Sequence, residues 1–152
     1  MVITTSPSRA VSRMAAGIAA MSSTNTGSTL PATRMARARV TRWPDEMAAW
    51  LASPDVAPPG GESLHQVSAR VGAALQGVLD RYAGRRILIV AHVGTIRALT
   101  ARALDTPASS MNRMELAPAS ITTLTWYADG NASMRSFAES AHVDGLGTTW
   151  IP

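Results

Sequence analysis

The most constraining feature of this sequence is an amphipathic helix pattern that leads directly into a continuous apolar run. The helix pattern begins at Ser63, which has capping-box spacing with Gln66, and ends near Gly84. The run over residues 87–91 is Ile-Leu-Ile-Val-Ala, which is typical of a strand buried on both faces of a parallel sheet. Apolar residues recur along the helix at intervals of three or four: Leu64, Val67, Val71, Leu75, Val78 and Tyr82. This order predicts an α/β layered domain.

The residues after this run predict a second helix and a hairpin. His92, Val93 and Gly94 are typical of a tight turn, and helical spacing returns over residues 95–104. Residues 120–127 and 132–137 predict two antiparallel strands joined by a turn at the edge of the sheet.

The N-terminal third of the chain has a weaker pattern. Residues 2–5 predict the end of a strand, and residues 6–21 an alanine-rich helix that begins at Ser6 and Pro7. Residues 22–31 are typical of a loop, and a short helix is predicted from Pro44 to Leu51.

Composition excludes several classes of protein. The chain has no cysteine, which excludes a disulfide scaffold, a zinc finger and a thiol nucleophile. No run approaches 18 apolar residues, so we predict no transmembrane helix and no membrane partner. The absence of cysteine fits a reducing interior, and we expect a cytoplasmic location. All fourteen basic residues are arginine, which is typical of a GC-rich genome. We therefore treat nucleic-acid binding by the cluster Arg34, Arg37, Arg39 and Arg42 as a weaker alternative.

His92 is the residue around which chemistry is expected. Ligands of open α/β sheets bind outside the carboxyl ends of the strands, and His92 follows such an end. Gly94 allows close approach to the backbone, and the first amides of the next helix offer free donors and a partial positive charge. This pattern predicts an anion site, above all for a phosphoryl group.

The same residues resemble those of the histidine phosphatase superfamily, also called phosphoglycerate-mutase-like. The resemblance is carried by Gly-Gly-Glu-Ser at 60–63, the helix, and Ile-Leu-Ile-Val-Ala-His-Val-Gly-Thr-Ile-Arg at 87–97. The Pro-Pro-Gly-Gly-Glu-Ser form is most similar to the α-ribazole phosphatase and broad acid phosphatase branch. Thr-Ser-Pro-Ser-Arg-Ala at 5–10 resembles the family's Ser-Pro-x-x-Arg-Ala segment. A similar domain occurs in actinobacteria fused behind a ribonuclease H domain.

The resemblance implies a three-layer α/β/α domain over residues 1–140, with a mostly parallel sheet, an antiparallel edge hairpin and a C-terminal tail at 141–152. It implies a metal-independent phosphomonoesterase that works through phosphohistidine, without a cofactor, on a small phosphorylated metabolite. By motif match, His92 is the second, phosphate-stabilising histidine and Arg9 a pocket arginine. Gly94 then allows the backbone to approach the phosphate.

The chain departs from the family pattern in two places. It has no Arg-His-Gly, the motif of the nucleophile, so we expect a truncated domain that lacks the family's first strand and has weak or no turnover. His65 and His142 stand in other contexts. Residues 22–42 hold no acid where the resemblance implies a proton donor, and we expect this stretch to be mobile. We hypothesise a frameshift over 22–40; the alternative is a divergent loop that lost the acid along with catalysis.

These departures leave alternatives open. The rival function is a non-catalytic module that binds a phosphorylated ligand or a partner. Without the family's first strand, the strand over 87–91 is expected to expose a backbone edge, which favours self-association or a fusion partner. Arg97 and Arg102 are expected to be solvated.

Overall fold

The structure is a computed structural model that describes residues 1–6, 17–20 (backbone only) and 42–143. The elements are β1 Val2–Ser6, β2 Gly17–Ala20, α1 Pro44–Ala52, α2 Leu64–Arg81, β3 Arg86–Val90, α3 Val93–Ala103, β4 Ile121–Tyr127 and β5 Ala132–Glu139, with short 3-10 helices at Ala108–Arg113 and Ala141–Val143. Among the predicted features, Arg9 and residues 21–41 lie outside the described residues.

The five strands form one mixed sheet in the order β2-β3-β1-β4-β5. The β2/β3 and β1/β4 pairs are parallel, whereas β1/β3 and β4/β5 are antiparallel. The predicted α/β class and the antiparallel edge hairpin are confirmed. The sheet is more evenly mixed than the mostly parallel sheet that was expected, because β1 runs against its neighbour β3.

The side chains of β3 alternate between buried and exposed, so the prediction of a strand buried on both faces is wrong. Ile87 and Ile89 are 2% and 1% exposed, whereas Leu88 and Val90 are 42% and 66% exposed. The described helices α2 and α3 pack together on the face of Ile87 and Ile89, where the hydrophobic core lies. The expected open backbone edge is also wrong, since β3 has a paired strand on each side.

Helix α2 begins as the sequence predicts. The Ser63 Oγ accepts a hydrogen bond from the Gln66 amide at 3.2 Å, and the Gln66 Oε1 accepts one from the Ser63 amide at 2.8 Å. These two bonds satisfy donors that have no partner within the helix. The apolar side of α2 joins the core through three buried residues, Leu64, Val71 and Leu75, and three partly buried ones, Val67, Val78 and Tyr82.

The loop between α2 and β3 is hydrogen-bonded to the end of β1. Gly84 has a φ of +72°, a conformation that favours glycine, and it leads the chain into β3. The Thr5 hydroxyl lies 2.8 Å from the Tyr82 carbonyl oxygen and accepts a hydrogen bond from the Arg85 amide at 2.8 Å. The carboxyl end of β1 is therefore tied to the start of β3.

The predicted helix over residues 6–21 is wrong where the structure describes it, because Gly17–Ala20 is strand β2. Its four residues pair in parallel with Ile87–Val90 of β3. Alanine favours helices by less than 1 kcal/mol per residue relative to most residues, so pairing with the neighbouring strand β3 overrides its preference.

Candidate functional site

His92 lies directly between β3 and α3, as the N-cap of the helix. Its φ of −79° and ψ of 160° are extended, and its carbonyl oxygen accepts the first helical hydrogen bond, from the Ile96 amide at 3.2 Å. The imidazole is exposed and makes no capping hydrogen bond. The helix begins two residues earlier than predicted, so Val93 and Gly94 belong to its first turn rather than to a separate turn.

The N-terminus of α3 presents backbone donors. The first-turn amides of any helix lack intrahelical acceptors, and no side chain caps this end within the described part of the chain. A Cβ placed on Gly94 would meet no atom within 4 Å. The described protein atoms therefore do not require glycine here, whereas a ligand that approaches the backbone would benefit from it.

Two parallel strands end at this edge of the sheet. Ala20, the last residue of β2, pairs with Val90, and His92 follows two residues later. The carboxyl ends of parallel strands are where ligands of α/β sheets collect. The position of His92 thus agrees with the type of site that the sequence predicts.

Arg97 is partly buried, so the expectation that it is solvated is wrong. Its Nε is buried and has no hydrogen-bond partner among the described residues. Burial lowers the pKa of its guanidinium, and the charge of Glu115 opposes that shift. Side chains on a helix lean towards its N-terminus, so the Cβ of Arg97 leans towards the turn that contains Val93 and Gly94. The sequence does contain a signal for the position of Arg97: it is four residues from Val93, so the two residues share one side of the helix.

The other two histidines have partners of their own. The His65 Nδ1 lies 2.6 Å from Asp55 Oδ1 on the surface at the start of α2. The His142 Nε2 lies 3.0 Å from the Ala119 carbonyl oxygen. Neither interaction involves His92.

Arg102 is exposed, as expected, and lies at the other end of α3. A Cβ on Gly72 would come within 2.8 Å of its Nη1, so the guanidinium packs closely on α2. Two adjoining cavities share Arg102 and Trp126, at the edge where β4 ends.

Beside His92 lies a mostly apolar groove of about 320 Å³. Its lining includes Ala91 and Val93, the two chain neighbours of His92, and the exposed face of β3 at Leu88 and Val90. The sequence pattern did not reveal this groove, because Leu88 and Val90 were assigned to a buried strand.

The described part of the molecule contains neither a membrane-spanning helix nor a cluster of metal ligands. No helix within residues 42–143 is long and apolar enough to cross a membrane. No group of three or more His, Cys, Asp or Glu side chains that could hold a metal ion occurs among the described residues.

A model of the histidine phosphatase superfamily (branch 1) matches residues 33–138. This chain belongs to that superfamily. The family match includes α2, β3, His92 and α3, which are the elements that build the candidate site. It does not distinguish subgroups within branch 1, so the similarity to α-ribazole and broad acid phosphatases stays a prediction.

This histidine phosphatase chain is similar to a mycobacterial bifunctional protein and to a phosphoglycerate mutase. It is 33% identical over 102 residues to the bifunctional protein Rv2228c of Mycobacterium tuberculosis, which covers 67% of the chain and 28% of that protein. It is 46% identical over 61 residues to a 2,3-bisphosphoglycerate-dependent phosphoglycerate mutase of Methylorubrum extorquens, covering 38% of the chain and 29% of the mutase. The chain therefore spans less than a third of the length of these relatives.

The similar solved structures include ligand complexes, and one of them contains phosphate. It is mycobacterial glucosyl-3-phosphoglycerate phosphatase Rv2419c in complex with inorganic phosphate, with 27% identity and a TM-score of 0.56. The similarity covers 75% of this chain and 58% of that one.

Proposed function

We propose that this histidine phosphatase chain binds a small phosphorylated molecule at the N-terminus of α3, through His92 and the backbone around Gly94. The observation that carries the proposal is the position of His92. It is the second residue after β3, caps α3 with its backbone and leaves its imidazole exposed and unused by the cap.

The local electrostatics support an anionic ligand. The N-terminus of a helix carries about half a positive charge, and its first amides point at whatever lies beyond the helix. Imidazole nitrogens add further hydrogen-bond donors, and Gly94 leaves the space beside the backbone open. The phosphate-bound structural relative supports a phosphoryl group as the anion.

The reaction that we propose for the family site is metal-independent hydrolysis of a phosphomonoester through phosphohistidine. His92 would stabilise the phosphoryl group while another histidine attacks phosphorus. His65 and His142 have other partners, and the 152 residues contain no Arg-His-Gly. We therefore propose that residues 1–140 form a domain that binds the phosphoryl group but turns over weakly or not at all as this polypeptide.

The family resemblance implies that Arg9 also contacts the phosphate, as a pocket arginine. It follows β1 by three residues in the sequence and lies outside the described residues. The carboxyl end of β1 is at the start of β3, at the edge of the sheet opposite His92. The role of Arg9 therefore needs a test of its own.

The proposal is tested by titrating the full 152-residue chain with inorganic phosphate in a calorimeter. We expect saturable binding that His92→Ala weakens by roughly tenfold, the value of one charge-assisted hydrogen bond. His65→Ala is the matched control, because His65 is also exposed at the start of a helix. Equal affinities of the two variants would refute a role for His92.

A non-catalytic module that binds a phosphorylated ligand is the second candidate function. It is favoured by the separate interactions of His65 and His142, which leave no described histidine paired with His92. Phosphate binding without hydrolysis of a chromogenic phosphomonoester would distinguish this module from an enzyme.

A further inference from the structure

We propose that the groove beside His92 is the subsite for the alcohol portion of the ligand, and that this portion is apolar. This inference rests on the proposed phosphate site. It names a ligand class: phosphomonoesters of a single aromatic ring or a short alkyl chain, rather than of a polyol.

The groove is continuous with the phosphate site through the backbone. His92 is the N-cap of α3, and its neighbours Ala91 and Val93 both line the groove. The alcohol of a phosphomonoester is joined to phosphorus through one oxygen atom. A phosphate held by the first turn of α3 therefore places its alcohol next to Val93, and the groove begins there.

The lining of the groove is suited to an uncharged, apolar group. Leu88, Val90, Ile96 and Leu116 line it, and among the described residues the His142 imidazole is the only acidic or basic side chain in the lining. Met1 also lines it, and its α-ammonium donates a hydrogen bond to the Ile89 carbonyl oxygen at 2.9 Å. Three of the groove's apolar side chains, Leu88, Val90 and Val93, are at least 37% exposed. An apolar ligand would remove part of this surface from water, which is the main source of affinity for such groups.

The size of the groove limits the ligand. Its volume of about 320 Å³ is at the lower end of the range for small-molecule sites, roughly 300–1,000 Å³. His142 lines the groove, and its Nε2 lies 3.0 Å from the Ala119 carbonyl oxygen, which fixes the ring against residues 117–121. One ring or a short chain fits this space.

The test compares three ligands on the full chain by calorimetry: inorganic phosphate, phenyl phosphate and glycerol 1-phosphate. We expect phenyl phosphate to bind roughly tenfold more tightly than glycerol 1-phosphate, because only the phenyl group buries apolar surface. Leu88→Ser should reduce the affinity for phenyl phosphate roughly threefold and leave that for inorganic phosphate unchanged. Leu104→Ser is the matched control, since Leu104 is also 42% exposed but does not line the groove.

The outcomes separate this inference from the proposed function. Inorganic phosphate that binds through His92, with equal affinities for the two esters, overturns the apolar subsite and leaves the phosphate site intact. If Leu88→Ser unfolds the chain, Val90→Thr replaces it, because it keeps the β-branched shape and only exchanges one methyl group for a hydroxyl. A dimer in sedimentation that Leu88→Ser dissociates, together with no ester preference, would assign the groove to a second copy and overturn the proposal.

Discussion

Val2 lies opposite Leu88 in an antiparallel pair, so the strand that leads towards Arg9 and the strand that leads towards His92 run in opposite directions. The pairs Ile3–Ile87 and Thr4–Arg86 continue this register. The two residues that the family resemblance brings into one pocket therefore follow strand ends at opposite edges of the sheet.

The first prediction concerns Arg9. If it belongs to the phosphate pocket, Arg9→Met should weaken the binding of inorganic phosphate roughly tenfold, as expected for a lost charge-assisted contact. This is the result that we expect from the resemblance. Arg13→Met is the control for the change in net charge, and calorimetry is the measurement. An unchanged affinity would show that Arg9 does not contribute to phosphate binding.

The second prediction concerns turnover. The purified 152-residue chain should hydrolyse p-nitrophenyl phosphate at or near the background rate, because no Arg-His-Gly motif supplies a nucleophile. Absorbance of released nitrophenolate measures this directly. Robust hydrolysis that His92→Ala abolishes would instead make His92 the nucleophile and contradict its assignment as the stabilising histidine.

The third prediction concerns the capping box of α2. Ser63→Ala should lower the free energy of unfolding by about 1 kcal/mol, because the Gln66 amide loses its acceptor at a buried helix start. For a domain of this size that corresponds to a melting temperature lower by about 2–4 °C. Ser68→Ala, in the interior of the same helix, is the control. Equal melting temperatures for the two variants would show that the cap contributes nothing.

The fourth prediction concerns the ion pair of Glu62 with Arg70. Two hydrogen bonds join them, Nε to Oε1 at 2.9 Å and Nη2 to Oε2 at 2.7 Å, and they hold the pKa of the Glu62 carboxyl below its ordinary value. A lowered folded-state pKa contributes stability above the ordinary pKa, and this contribution is lost as the pH falls through the lowered value. Both side chains are more than 40% exposed, so the pair contributes at most about 0.5 kcal/mol.

Urea unfolding at about pH 7 and about pH 2 measures this contribution with and without Arg70→Met. We expect the variant to be slightly less stable at neutral pH and as stable as the parent in acid. The same difference at both pH values would show that Arg70 acts through packing of its aliphatic part and not through its charge.

The sequence was sufficient where structure depends on local interactions. The capping box at Ser63, the apolar side of α2 and the edge hairpin each follow from residues close together in the chain. Helical spacing and turn residues also located β3 and α3 to within two residues. Because His92 stands at the junction of those two elements, its position could be predicted as well.

The sequence was insufficient where structure depends on distant partners. Residues 17–20 form a strand because β3 lies beside them, which alanine content cannot reveal. Leu88 and Val90 are exposed because the described helices α2 and α3 cover only one face of β3. Arg97 is partly buried near Glu115, which lies eighteen residues further along the chain. Each difference is set by long-range packing rather than by local propensity.

The most direct test of the phosphate site is the amide spectrum of the ¹⁵N-labelled full chain during a titration with inorganic phosphate. We expect the largest saturable shifts at Val93, Gly94 and Thr95, the first turn of α3, and we expect His92→Ala to reduce them. An equal concentration of chloride is the control for ionic strength. Saturable shifts centred on Arg102 at the other end of α3, or no saturable shifts in the first turn, would contradict a phosphate site at His92.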